Sequence, residues 1–485
     1  ETLAVMHGSL SPGERYDQWR RIRAGELRVV IGARSAILAP VQRLGVVVVD
    51  EEHEWTYKQD EQIPHYHARE AAIERARLAG ATAILGSATP DLSSYYRAQR
   101  GEFHLLGLPR RVIGHRDVIA QMLSDSGVAN SRYALLSNEA LYADLPEAQI
   151  VDLRDELRAG NSGMFSRALD QALRETLAAG EQAILLLNRR GSASAVVCRD
   201  CGYVAECPRC RVAMAYHERP PTLVCHHCGR RESVPQACPR CGGQRIRYLS
   251  AGVERIESEV QRAYPQATTL RWDSDTTSSP RAHEELLERF IRHEANVLVG
   301  TQMVAKGLDL PLVTLVGVVL ADTGLSLPDL YAGERTFQLL TQVAGRAGRS
   351  VLPGRVIIQT YQPEHPAIQA AARYDYESFA RAELAFRHEH GYPPFTRLVR
   401  LEYADADSGR ARAETERLAQ LLTERIALQG LYGVDLIGPT PPYFARQGGR
   451  WHWQLLVRGS DPVALLRGLR LPLGWRVDVD PVSLL

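Results

Sequence analysis

All eight cysteines of this 485-residue chain fall between residues 198 and 241, as four Cys-x-x-Cys pairs: Cys198/Cys201, Cys207/Cys210, Cys225/Cys228 and Cys238/Cys241. No other feature restricts the fold as strongly. With no signal-peptide pattern at the start of the sequence, such clustering points to metal over disulfides. Zn²⁺ takes four tetrahedral thiolates, and each Cys-x-x-Cys turn supplies two of them. Four pairs therefore make two closed structural sites; disulfides or an iron–sulfur cluster are the alternatives. Gly202, Gly229 and Gly242 each directly follow a second cysteine, where a knuckle needs a left-handed turn. Three pairings of the knuckles exist. The nested one joins Cys207, Cys210, Cys225 and Cys228 across fourteen intervening residues and leaves Cys198, Cys201, Cys238 and Cys241 to close the base. That inner spacing is close to a zinc ribbon's, whereas consecutive pairing leaves a cramped five residues between knuckles. His217, His226 and His227 are expected at the surface, because the cysteines already fill two sites.

Net charge is +1 and 45% of residues are hydrophobic, as in ordinary globular domains. No apolar run reaches the roughly eighteen residues of a membrane span. Local charge is more telling. Residues 198–247 hold nine Arg against four Asp and Glu, which makes Arg209, Arg211, Arg230, Arg231 and Arg240 candidate phosphate contacts. A solvated face is the plainer reading. Closed metal sites have no open coordination position, so this basic hairpin suits contact with DNA or a partner better than catalysis.

Elsewhere the pattern is α/β. The β-branched run Val46–Val49 reads as a buried parallel strand. Ala83–Leu85, Ala183–Leu187, Val297–Val299 and Leu315–Leu320 read likewise, with helices expected over 66–79, 167–178, 253–263, 282–293 and 333–343. Two such alternating series imply two doubly wound lobes. Residues 112–148 lack periodicity and read as a linker or insertion. From about 395, strands at Arg397–Tyr403 and Trp453–Val457 around a helix at 408–428 suggest a smaller α+β domain.

The first apolar run ends in Asp50-Glu51-Glu52-His53. Ligands bind beyond the carboxyl ends of parallel strands, and carboxylates there suit Mg²⁺. Asp50 is the candidate for holding the Mg²⁺ water shell and Glu51 for polarising the water that attacks the γ-phosphate of ATP. His53 would link that site to other motifs. A helix start carrying acids by chance is the alternative. Three more blocks follow: Gly86–Pro90, Gly300–Gly307 and Gln342–Arg349. The hydroxyls of Ser87 and Thr89 suit nucleotide coupling, a role also assigned to Gly307 and Asp309. Gln342, Arg346 and Arg349 are catalytic candidates at the end of a helix. Arg346 and Arg349, three apart on one helical face, would act as arginine fingers from the opposite lobe. Any one block is an ordinary glycine-rich loop; four in this order are not.

Candidate DNA contacts are Trp55, Tyr57 and Lys58, where aromatics and cations interleave, and Thr301, Gln302, Lys306 and Arg189 near strand ends. Arg450, His452 and Gln454 share one face of a strand. Arg450 and Gln454 are candidate partner contacts for an acidic peptide or DNA, with an ordinary strand bearing two buried Trp as the alternative.

These blocks resemble the superfamily-two helicases and, within them, the PriA (primosomal protein N-prime) family of replication-restart helicases. Carrying the resemblance are Asp50–His53, Tyr57–Gln59, Tyr66–Arg69, Gly86–Pro90, Leu187–Gly191, Gly300–Gly307, Gln338–Arg349, the eight cysteines and Gly448–Trp451. It implies two RecA-like helicase lobes, the first incomplete, a zinc-binding insertion in lobe two, and a small α+β C-terminal domain. The spans expected are 1–111 for the remainder of lobe one, 112–148 for the linker, 149–197 with 249–394 for lobe two, 198–248 for the zinc module and 395–485 for the last domain. The resemblance also favours nested cysteine pairing. It implies an ATP-dependent 3′–5′ DNA helicase or translocase that recognises stalled forks and initiates primosome assembly for replication restart. ATP, Mg²⁺ and two Zn²⁺ are the implied cofactors. Implied partners are single-stranded and forked DNA, the C-terminal tail of single-stranded-DNA-binding protein, other primosome proteins and the loading machinery of the replicative helicase. The implied setting is the bacterial cytoplasm, on the nucleoid and off the membrane. One family element is missing: the Gly-x-x-x-x-Gly-Lys-Ser/Thr (Walker A) loop, since no Gly-Lys pair occurs. A truncated chain, nearly inactive without that loop, is expected. The rival is a non-hydrolytic DNA-binding scaffold that recruits replication-restart proteins.

Overall fold

A computed structural model describes residues 2–485 except 61, 109–111, 116–133, 136–139, 143–144, 189–194, 219, 249–251, 274–279, 303–312, 346, 348–353 and 432. Arg189, Lys306, Gly307, Asp309, Arg346 and Arg349 thus lie outside the described residues. The chain divides into two units, Glu1–Leu105 and Leu106–Leu485.

In the first unit, two pairs of parallel strands form: Leu3–Met6 with Val29–Gly32, and Val46–Val49 with Thr82–Leu85. Helix Pro12–Ala24 starts at a capping box in which the Ser11 and Glu14 side chains satisfy each other's backbone N–H groups, and it ends at left-handed Gly25. Helices Ala68–Ala79 and Leu92–Gln99 follow. Val46–Val49 departs from expectation. It is a parallel strand, but only Val49 is buried, while Val46 and Val48 are more than half exposed. A β-branched run is buried on both faces only when layers cover both, and among the described residues this strand has one neighbour.

In the second unit a six-stranded, wholly parallel sheet runs in the order Glu147–Asp152, Arg355–Thr360, Val313–Val318, Gln182–Leu186, Val297–Gly300, Thr269–Trp272. Gln182–Leu186 is flanked on both sides and buried throughout, which is why it reads as a continuous apolar run. Leu169 and Leu173 of helix Arg167–Ala178 and Ile256 and Val260 of helix Val253–Ala263 pack on it. The strand Glu147–Asp152 begins inside the span read as linker, which corrects that reading at its end. Its alternating burial is what an edge strand shows, and a half-polar strand carries little hydrophobic signal. Short strands at Val112–His115, Ala134–Leu135 and Ala140–Tyr142 pair into a separate antiparallel sheet.

The last part of the chain is an antiparallel sheet in the order Asp435–Thr440, Arg450–Gly459, Arg397–Asp405, Trp475–Val479. Leu418 and Leu422 of helix Ser408–Gln429 cover one face, against Val399, Leu401, Leu455 and Val457. The other face, with Leu398, Ile437 and Leu456, joins a core shared with Val212, Met214, Leu223 and the cysteines. No helix among the described residues is long and apolar enough to cross a membrane.

Candidate motor and zinc sites

The acidic turn leaves the strand Val46–Val49 and is tied to the neighbouring strand's end: Glu52 N–H donates to Gly86 O at 3.0 Å, and Gly86 N–H to Val49 O at 2.9 Å. Asp50 and Glu51 are exposed, as carboxylates meeting a soluble ligand must be. Glu51 has φ 45°, a left-handed conformation that non-glycine residues adopt rarely. His53 Nδ1 is hydrogen-bonded to Ser87 Oγ at 2.6 Å and lies 3.6 Å from the Glu51 carboxylate. Ser87 Oγ also accepts from Thr89 N–H at 3.0 Å. Asp50, Glu51, His53, Ser87 and Thr89 are thereby brought together in one unit.

The aromatic stretch behaves unevenly. Trp55 is 39% exposed, while Tyr57 donates its hydroxyl to Asp50 O at 2.7 Å. Lys58, expected to face DNA, is buried. The short strand Lys58–Gln59 pairs with Tyr66–His67, and that pairing turns the lysine inward. Burial, aided by the Arg69 guanidinium, pushes the neighbouring His67 down to about 3.

In the second unit Thr301 and Gln302 follow the carboxyl end of Val297–Gly300. Thr301 N–H donates to Trp272 O at 3.3 Å, and Gln302 Nε2 donates to Asn188 Oδ1 at 2.7 Å. The buried Asn188 lies in the block Leu187–Gly191 but was given no role there; its place directly after an apolar strand was the available signal. Gln342 is half-buried on helix Ala332–Ala344, which closes at Gly345.

Four knuckles repeat one geometry. The residue after each second cysteine returns its N–H to the first cysteine's carbonyl: Gly202 to Cys198, Arg211 to Cys207, Gly229 to Cys225 and Gly242 to Cys238, at 2.7–2.8 Å. All four have positive φ: 75°, 52°, 76° and 71°. Arg211 alone takes this turn without being glycine. The sulfurs gather in the nested sets, Cys198/Cys201/Cys238/Cys241 and Cys207/Cys210/Cys225/Cys228, each within 4.8 Å. Sγ separations of 3.7 Å for Cys198–Cys241, 3.6 Å for Cys201–Cys238 and 3.6 Å for Cys207–Cys228 fit the edge of a tetrahedron with Zn–S bonds of about 2.3 Å. Burial pushes the Cys201 thiol up to about 12. Its thiolate needs a cation's charge, so metal binding releases protons.

Family models match three stretches: the primosomal protein N C-terminal domain at 388–482, the PriA DNA helicase Cys-rich region domain at 207–232 and the helicase conserved C-terminal domain at 236–351. The replication restart protein PriA of Bacillus subtilis (strain 168) is 46% identical over 463 residues, covering 96% of this chain and 53% of that protein. For the Synechocystis relative of the same name the figures are 40%, 99% and 56%. For Treponema pallidum (strain Nichols) they are 39%, 99% and 69%. This chain belongs to the PriA family. It spans about half the length of the first two relatives.

Within this PriA-family chain the histidines overturn an expectation. His226 and His227 are buried, not superficial. His226 Nδ1 meets Pro441 O at 3.1 Å and its Nε2 meets His217 Nε2 at 3.0 Å; His227 Nε2 meets Pro328 O at 3.1 Å. They fasten the cysteine module to its neighbours, which spacing along the chain does not reveal. The strand face Arg450/His452/Gln454 is corrected for the same reason. Gln454 is fully buried and its Nε2 donates to His226 O at 2.9 Å. His452 Nδ1 sits 2.7 Å from Glu402 Oε1, and only Arg450 stays exposed. The expected phosphate-contact arginines are partly neutralised: Arg209 pairs with Asp435 at 3.2 Å and Arg230 with Glu232 at 2.7 Å.

Proposed function

We propose that this chain carries the motor of an ATP-dependent 3′–5′ DNA helicase or translocase that recognises stalled forks and initiates primosome assembly. The observation that carries the reading is the 2.6 Å bond between His53 and Ser87 beside two exposed carboxylates, at the carboxyl ends of paired parallel strands. The donor set fits a hard cation: Asp50 would hold Mg²⁺ through its water shell. When bound, ATP would supply the phosphoryl group and Mg²⁺ would offset its charge. Glu51 orients and polarises the attacking water, and His53 passes changes at Glu51 to Ser87. Gln342 remains a proposed catalytic residue, and Arg346 and Arg349 remain the proposed arginine fingers. Trp55, Tyr57, Thr301, Gln302, Lys306 and Arg189 are proposed to engage single-stranded DNA, with Ser87, Thr89, Gly307 and Asp309 in nucleotide coupling. Lys58, being buried, is withdrawn from the proposed DNA contacts. Arg450 is the remaining candidate contact for the tail of single-stranded-DNA-binding protein. The bacterial cytoplasm, on the nucleoid, is the proposed setting.

The test is ATP hydrolysis by the intact gene product with and without single-stranded DNA. Glu51→Gln is expected to lower the DNA-stimulated rate by about a hundredfold or more. Trp55→Ala is expected to abolish DNA stimulation while sparing basal hydrolysis. An intact protein that hydrolyses no ATP on DNA would leave the recruitment scaffold as the reading.

A further inference from the structure

Glu52 lies between the two groups proposed to work on the nucleotide side, Glu51 and His53, yet it points the other way. Its side chain is 2% exposed, and three donors converge on its carboxylate. Arg69 Nη1 at 3.0 Å and Ser94 Oγ at 2.9 Å donate to Oε2, and Asp91 N–H at 2.7 Å donates to Oε1. Arg69 belongs to helix Ala68–Ala79, while Asp91 and Ser94 belong to the start of helix Leu92–Gln99. Asp91 caps that helix by accepting from Ser93 N–H and Ser94 N–H, and Arg69 Nη1 also lies 3.1 Å from its Oδ1. Burial raises the Glu52 carboxyl above its usual range, against the pull of Arg69. Breaking a buried ion pair of this kind from one side is costly, since the partner's charge stays behind.

The residue before this node is Glu51, at φ 45°. A non-glycine residue there carries roughly 1–3 kcal/mol of strain and persists only where its surroundings over-determine it. On one side Asp50 is held through its carbonyl by Tyr57. On the other, Glu52 is fixed through its backbone N–H on Gly86 and through its carboxylate on two helices. We infer that Glu52, with Arg69, is a positioning clamp that forces Glu51 into its left-handed conformation and so aims the Glu51 carboxylate outward beside His53. Glu52 itself touches no substrate. The inference rests on the motor reading for its catalytic consequence, and on the geometry of the first unit alone for the clamp.

The test uses the intact gene product. Glu52→Gln keeps the shape but sets an N–H against donors, and Arg69→Lys removes the guanidinium fork. Each is expected to lower kcat for DNA-stimulated ATP hydrolysis about ten- to a hundredfold, with KM for ATP within about twofold. A second readout does not depend on hydrolysis. Glu51→Gly relieves the strained φ and is expected to raise the melting temperature by about 2–4 °C in the wild-type background. That gain disappears in the Glu52→Gln background, because the unclamped turn relaxes. If Glu52→Gln does not fold, Ser94→Ala removes one donor and is expected to shrink the gain by about half. Equal gains with and without the clamp, or wild-type kcat in Glu52→Gln, overturn the inference. A wild-type protein without ATPase activity removes the motor reading instead, and the melting comparison still decides the clamp.

Discussion

The two sulfur tetrads are built from the same knuckle but sit in different surroundings. In the set Cys207/Cys210/Cys225/Cys228 three cysteines are buried, and the flanking residues reach the last domain: Tyr392 donates its hydroxyl to Cys210 O at 2.6 Å, and Gln454 donates to His226 O. In the set Cys198/Cys201/Cys238/Cys241 one cysteine is exposed and another half-buried. That set meets the end of the parallel sheet, where a Cβ on Gly202 would stand 2.2 Å from Tyr361 O. One metal site is thus part of a core shared by two modules, and the other braces a rim. The difference shows that a zinc module can be read as a self-contained insertion in sequence and still be half of a domain interface.

The largest expected effect separates the tetrads directly. Structural zinc contributes on the order of ten kcal/mol to folding. Cys225→Ser is expected to lose one zinc and to unfold the shared core, with a melting temperature lower by about 10 °C or more. Cys241→Ser is expected to lose one zinc with less than about half that shift. Metal content and thermal unfolding read both; equal shifts would erase the distinction.

Substituting the knuckle glycines grades the same comparison. Gly202→Ala adds a clash with Tyr361 O to an unfavourable φ, and is expected to cost about 2–4 kcal/mol. At Gly229 the new Cβ would meet Thr440 Oγ1 at an ordinary 3.4 Å, and at Gly242 nothing within 4 Å. Both should cost about 1 kcal/mol from φ alone. Denaturant midpoints with zinc retained check the order.

The smallest effect is acid sensitivity beside the cysteine module. His365 lines a cavity of about 220 Å³ with Val204 and Glu206 of the cysteine module and Leu327 and Phe379. Its Nδ1 accepts from Ala367 N–H, and burial pushes it down to about 4 from an ordinary 6.5. The folded state therefore holds fewer protons than the unfolded one between those values. This stability is full above about pH 6.5 and is lost as pH falls toward 4. His365→Asn, which can still cap the helix, is expected to flatten that slope; an unchanged pH profile would exclude His365 as its source.

The sequence made legible whatever depends on local pattern. Apolar runs marked Gln182–Leu186, Val297–Gly300 and Val313–Val318, because a strand covered on both faces needs apolar residues throughout. Edge strand Glu147–Asp152 was not legible, because half its residues are polar and only Val151 is buried. In the candidate site, the order of blocks suggested Asp50, Glu51, His53 and Ser87 as one group. Nothing local distinguished Glu52 from its acidic neighbours or Lys58 from an exposed lysine, since burial depends on helices and strands brought in from elsewhere.

By itself, then, the sequence determined the identity of the metal ligands, the knuckle turns and the alternation of strands and helices. These follow from side-chain chemistry and backbone preference within a few residues. Only the tertiary structure decided that His226 and Gln454 are buried against each other and that Glu52 faces inward. Those outcomes depend on which distant surface excludes water from a given side chain, and no short-range pattern encodes that.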